Sequence, residues 1–251
     1  MIRDLRTILD GWDYEPGKIS VRKIIGRDGR EKIQTRVDLG VLQFEPAGRP
    51  DGRRPYGCES MLSFFEARLR EHIARHGSDE GFFLLPEDCR DLREEAHLYY
   101  QRYLSLFVLE EYDGVERDTA RNLRVIDLCQ RYAETEYDRT ALESQRAYVL
   151  MMNIRARTYR AMAARRFEEA LEIAEQGIRE VALWEQNTDL PDDISADGEF
   201  EVLEALRDEV IAAMPSDAPP RIHARLQEAL AREDYETAAE LRDRLNEIRG
   251  Q

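Results

Sequence analysis

No stretch of this 251-residue chain approaches the roughly 20 successive apolar residues that a helix needs to cross a bilayer. A membrane-spanning helix is not expected. The amino terminus, MIRDLRTILDGW, also lacks the apolar core of a secretory signal, so the expected location is the cytoplasm. Cysteine is scarce: Cys58, Cys89 and Cys129 lie far apart, are odd in number and never form a C-x-x-C pair. That argues against a disulfide framework or a cysteine zinc site, and leaves reduced, partly buried thiols. An excess of positive charge is missing as well. The formal net charge is −15, with 35% of residues charged. Such a field repels phosphate backbones unless basic side chains cluster locally, so direct nucleic-acid binding is disfavoured.

What is present suits a globular protein: 42% hydrophobic residues, enough for one sizeable core or two small ones. The strand signal is confined to residues 18–44. Ile19, Val21 and Ile25 precede a Gly26-Arg27-Asp28-Gly29 turn. Beyond it Ile33, Thr35, Val37, Leu39 and Val41 alternate with polar neighbours, which predicts a β-hairpin. Two strands alone are marginal in water, so the hairpin is expected to pack on the following helices or to add to a partner's sheet. Residues 45–57, EPAGRPDGRRPYG, are too rich in Pro and Gly for a helix or a central strand and read as a loop.

From Glu59 onward the period becomes helical. Met61, Phe64, Leu69 and Ile73 mark one amphipathic helix, and Leu92, Ala96, Tyr99, Tyr103 and Phe107 another. Further helices are predicted over about 116–133, 140–163, 166–184 and 199–213, with residues 185–198 as an acidic connection. Within them Arg166-Phe167-Glu168-Glu169-Ala170-Leu171-Glu172 is similar to the second helix of a tetratricopeptide repeat, and Glu111-Tyr112-Asp113-Gly114 reads as the opening of an analogous one, although the spacing to Phe167 is well above a 34-residue period. The fold class expected is mainly α, with an N-terminal β-hairpin, a repeat-like body of helical hairpins and a C-terminal antiparallel helical hairpin. Boundaries are expected to give 1–57, 58–184, 185–218 and 219–251.

Motifs that would carry chemistry are weak. His72 and His76 stand four apart on a predicted helix, a spacing that can point two imidazoles at one metal. The sequence EHIARH is nevertheless not H-E-x-x-H, and no third ligand is evident. Arg49, Arg53 and Arg54 form a candidate anion-binding site, because guanidinium forks suit oxyanions and the loop glycines permit close approach; a P-loop context is lacking. The pairs Glu94-Glu95, Glu110-Glu111 and Glu168-Glu169 diverge by about 100° on a helix and read as solvated faces. Tyr99, Tyr100, Tyr103 and Phe107 read as core. No catalytic residue, cofactor or metal is assigned, and the chain is expected not to be an enzyme.

The last segment is more informative. In RIHARLQEALAREDYETAAELRDRLNEIRGQ, Ile222, Leu226, Ala229 and Leu230 share one helix face. Tyr235, Ala238, Leu241, Leu245 and Ile248 make a second stripe, with Asp234 placed to cap its helix and a break at Glu233-Asp234. The run from Glu233 to Asp243, EDYETAAELRD, with Leu226, Leu230, Leu245 and Ile248 around it, resembles the UVR motif of the bacterial repair proteins UvrB and UvrC. The resemblance is confined to 219–251. It implies an antiparallel helical hairpin that associates with a second such hairpin, as in the tether of UvrC to UvrB and in McsA-type and ClpC-type stress proteins. Residues 34–52 are also similar to the amino-terminal part of bacterial proteins that end in this motif, a likeness that assigns no activity.

Physical size points the same way, since so short a hairpin buries little apolar surface against its conformational entropy and needs something to pack on. The candidate partner-binding residues are Leu226, Leu230, Tyr235, Ala238, Ala239, Leu241, Arg242, Asp243 and Leu245. Among them the alanines permit close helix approach, Tyr235 is an aromatic anchor, and Arg242 with Asp243 sets polar register. The expected function is a non-enzymatic adaptor that binds a protein partner, or another copy of itself, through this hairpin. Two alternatives are an accessory factor of nucleotide-excision repair and a regulator of a stress kinase or protease. Against the latter, the zinc cysteines of McsA-like proteins and the P-loop of ClpC-like ATPases are lacking.

Overall fold

The alternating apolar residues near the amino terminus form strands, as their period requires, but three of them and not two. In the computed structural model, which describes residues 5–188 and 195–249, a helical turn α1 (Arg6–Leu9) is followed by β1 (Ser20–Ile25), β2 (Glu31–Val37) and β3 (Gly40–Phe44). The strands pair antiparallel in the order β1-β2-β3. The Gly26–Gly29 turn closes the first pair, with the Gly29 amide 3.0 Å from the Gly26 carbonyl and Gly29 at φ +73°. A further turn at Asp38-Leu39 breaks the run that the alternation had joined through Val41. Across it Val37 faces Gly40, Thr35 faces Leu42 and Ile33 faces Phe44, so the positions on one face are odd before the turn and even after it.

Two units make up the chain, 1–156 and 157–251. In the first, the sheet packs on α3 (Pro86–Val108): Ile33 and Phe44 are buried, and the hydroxyls of Thr35 and Ser105 lie 2.6 Å apart. A core of Leu62, Phe65, Leu92, Val125 and Cys129 joins α3 to α2 (Met61–His76) and α4 (Tyr112–Tyr132). Gly114 permits the close pairing of α3 with α4, since a Cβ there would lie 2.9 Å from a Leu106 methyl. The short α5 (Glu136–Thr140) and α6 (Arg146–Ala163) follow.

Polar groups are buried in the first unit as ion pairs. Arg102, fully buried, donates two hydrogen bonds of 2.7 Å to Asp118 and two more, of 3.0 and 2.8 Å, to the carbonyls of Glu45 and Gly48. It thereby pins the Gly/Pro loop. Glu95, expected on a solvated face, is also fully buried: it pairs with Arg121 and accepts the Met61 amide at 2.8 Å. The carboxylate occupies the amino end of α2, where unpaired amides and the helix dipole favour a negative charge.

The second unit contains α7 (Phe167–Asn187), α8 (Asp197–Ala213), α9 (Pro219–Ala231) and α10 (Tyr235–Arg249). Ala170, Ala174, Gly177 and Val181 lie buried along α7, which packs on α8, whose Leu203, Leu206 and Val210 are buried. Small side chains at these positions let two helices approach closely. Of the expected acidic connection, residues 189–194 lie outside the described ones. Among the described residues no helix is long and apolar enough to cross a membrane.

One turn is used three times. The carbonyls of Leu106, Ala161 and Ala229 each accept, at 2.9 Å, the amide five residues on, from Glu111, Arg166 and Asp234. Between them Glu110, Arg165 and Glu233 sit at φ +59°, +57° and +59°, and an aromatic residue, Tyr112, Phe167 or Tyr235, opens the next helix. Three residues further on, Val115, Ala170 and Ala238 are buried. This is the left-handed helix ending usually supplied by glycine, here made by charged residues that stay in water.

Candidate functional site

The C-terminal hairpin begins where the chain cannot continue a helix from before. Pro219 and Pro220 occupy the first positions of α9, where a missing amide removes no helical hydrogen bond. At the other side of the turn, Asp234 Oδ1 accepts the Thr237 amide at 3.1 Å and caps α10. Hydrogen bonds from Thr237 hold the Asp234 carboxyl below its ordinary 3.8. Its contribution is therefore present above that value and is lost as pH falls through the lowered one. Acidification is expected to loosen the start of α10, and Asp234→Asn, an equally good cap, should remove that pH dependence in the hydrogen exchange of residues 235–238. Retained pH dependence in the variant would assign it to another group.

The two helices pack through Ile222, Leu241 and Leu245, with Leu226 partly buried beside them. Ala229 and Ala238 are buried too. Ala238, Leu241 and Leu245, chosen from the sequence as partner-binding, are thus placed in the hairpin's own interface, because a two-helix unit needs one apolar face from each helix. Ala239 is half-buried. Leu230 and Tyr235 flank the turn and are 44% and 67% exposed. Arg242 and Asp243 are exposed neighbours, Nε to Oδ1 3.6 Å, in the geometry of a solvated pair. At the open end, Pro219, Pro220, His223, Leu245 and Ile248 line a cavity of about 260 Å³. Of these only Leu245 was among the sequence candidates, although Ile248 continues the α10 stripe.

The family model described as UvrB/uvrC motif matches residues 221–251, the segment that forms this hairpin. The chain carries a UVR motif. No curated protein and no solved structure matched the chain. UVR motifs mediate protein interactions. In this one two of the apolar side chains left in water, Leu230 and Tyr235, flank the turn and a third, Ile248, is exposed at the open end, while the root is held by α9 abutting α8 and by Arg221, which donates to the Met214 carbonyl. Beside that root runs a groove of about 880 Å³. Phe167, Leu171 and Met214 line it, together with Glu168, Glu169, Glu172, Glu175 and Asp217 and with Arg165 and Arg166. The groove beside the UVR hairpin thus carries more carboxylates than guanidiniums, a balance that opposes a phosphate backbone.

The remaining sequence candidates are dispersed. Arg49 Nε points inward, 3.1 Å from Asp51 and 3.4 Å from the buried Glu95, whereas Arg53 and Arg54 are exposed, Arg53 at 3.8 Å from Asp51. Arg49 and Arg53 thus face the same carboxylate, which already supplies their negative partner. His72 and His76 have ring centroids 4.5 Å apart, but the His72 Nε2 lies 2.9 Å from the Glu80 carbonyl. Among the described residues no three His, Cys, Asp or Glu side chains form a metal-sized group. Tyr99 and Tyr103 are buried, and burial raises both phenols above their ordinary value.

Proposed function

We propose that this protein is a non-enzymatic adaptor that recruits a protein partner through its UVR hairpin, with Leu230 and Tyr235 as the apolar anchors. The observation that carries the reading is the exposure of both residues at the turn of a hairpin whose own core consists of Ile222, Leu226, Leu241 and Leu245 with two buried alanines. Aromatic anchors with an apolar neighbour supply much of the binding free energy in small interfaces. A partner seated there also covers surface that the short hairpin cannot cover itself.

Tyr235→Ala is expected to weaken partner capture by about tenfold or more, the usual effect of removing an aromatic anchor. The hairpin should stay folded, because Tyr235 is exposed. The test is affinity purification with mass spectrometry from the native cell, comparing the intact chain, Tyr235→Ala, and a form ending before Pro219, with circular dichroism on each. Loss of one discrete partner from both altered forms supports the adaptor reading, and that partner's identity chooses between excision repair and stress regulation. An unchanged partner set would refute it.

A further inference from the structure

In the first unit a cavity of about 210 Å³ opens at the amino end of α2, with Ser60, Ser63, Arg102, Arg117, Arg121 and Arg124 in its walls. The last three recur at i, i+4 and i+7 of α4 and so share one face of that helix. Two carboxylates, Glu59 and Asp118, stand in the same wall against four guanidiniums. Behind it Glu95 takes Arg121, and Glu66 takes Arg124.

Donors remain after those pairings. Arg117 uses Nε on Asp118 at 3.0 Å and Nη2 on the Pro46 carbonyl at 3.1 Å; Arg124 uses Nε and Nη2 on Glu66. Their Nη1 groups have no acceptor among the described residues. Arg121 is only 8% exposed, yet its buried Nε has no acceptor either, and it rests on Tyr99 with 4.2 Å from guanidinium carbon to ring centroid. An unsatisfied donor on a buried cation is costly, so a site that leaves one open favours an added negative charge. The Ser60 and Ser63 hydroxyls, 2.6 Å apart, add adjustable donors, while the first amides of α2 are already taken by Glu95 and Ser60. Burial also pulls Arg121 below the ordinary guanidinium value, the direction that an additional anion would reverse.

We infer that this cavity binds a phosphate-sized oxyanion, free or as a small phosphomonoester, held between the Nη1 groups of Arg117 and Arg124 with a serine hydroxyl beneath. The volume lies below the range of cavities that take whole cofactors, and the net charge of −15 opposes a nucleic-acid backbone. The assignment does not depend on the adaptor reading and concerns the other unit.

The test is calorimetric titration of the full chain with inorganic phosphate, against chloride at equal ionic strength. A saturable one-to-one isotherm is expected for phosphate alone. Arg117→Gln/Arg124→Gln should weaken it by about tenfold or more per arginine, the effect of losing a charge-assisted hydrogen bond. Arg53→Gln/Arg54→Gln, on the loop outside the cavity, should leave it unchanged. Circular dichroism and melting without phosphate check the fold; if the double variant melts early, Arg124→Gln alone is read, its side chain being largely exposed. No saturable phosphate binding, undiminished binding in the cavity variant, or equal loss in the loop variant would each overturn the inference. A short duplex binding more tightly than phosphate at low salt would overturn the small-ligand assignment.

Discussion

Arg102→Ala should lower the stability of the first unit by about 3 kcal/mol, the low end of the range for breaking a buried pair, because Asp118 is left charged and fully buried. Arg117 still donates to Asp118 Oδ1 at 3.0 Å, which keeps the loss from being larger. The carbonyls of Glu45 and Gly48 lose their donor at the same time, so the Gly/Pro loop should gain hydrogen exchange out of proportion to the helices. Trp12, which donates to Ser20 at 2.6 Å and lies against Arg22 of β1, reports this unit in urea unfolding when Trp184 is replaced by Phe. Replacing both partners by apolar residues of similar size, Arg102→Met with Asp118→Leu, should recover part of the loss, as no unpaired charge remains. A single variant within 1 kcal/mol of the parent would mean that the pair and its loop contacts contribute little beyond their desolvation cost.

Ile222→Asp should act on the other unit. Ile222 is fully buried and meets Leu241 and Leu245, so the change removes an apolar contact of the hairpin core and puts a carboxylate into it. Loss of a buried isoleucine alone costs about 2–5 kcal/mol, and the buried charge adds to it. A core this small cannot absorb that. Amides over residues 219–249 should exchange near the unstructured rate, helical circular dichroism should fall by the share of α9 and α10, and the Trp12 transition should not move. Partner capture should vanish with the hairpin. Protected amides in the variant would show that the hairpin is held from its root on α8 and not by its own interface.

The pieces legible in the sequence were those with a local cause. The helical period of Leu92, Ala96, Tyr99 and Tyr103 yields α3, and the prolines before Arg221 with Asp234 at the break yield the hairpin. β3 was hidden because a two-residue turn switches the inward positions from odd to even, which continuous alternation through Val41 conceals. The repeated helix ending was legible only in part, for a related reason. Glu110, Arg165 and Glu233 adopt the left-handed conformation without glycine, and the recurring pattern of two charged residues before an aromatic reads as solvated surface. The common hydrogen bonds and positive φ join the Tyr112 and Phe167 openings, already alike in sequence, to the break before Tyr235.

The candidate sites divide along the same line. UVR residues occupy one short segment, so their motif is visible without the fold, but which of them face inward depends on how α9 meets α10. Hence Ala238, Leu241 and Leu245 lie in the hairpin core while Leu230 and Tyr235 stay exposed. The arginine cavity draws on α2, α3 and α4, and nothing local to Arg102, Arg117 or Ser63 says that they meet. By itself the sequence determined most of the helices, though not the short α5 ahead of α6, together with the hairpin break and the motif, because periodicity, capping and turn chemistry act over a few residues. Tertiary structure decided which charges are buried and which apolar residues remain in water, because desolvation is set by whatever packs from elsewhere in the chain.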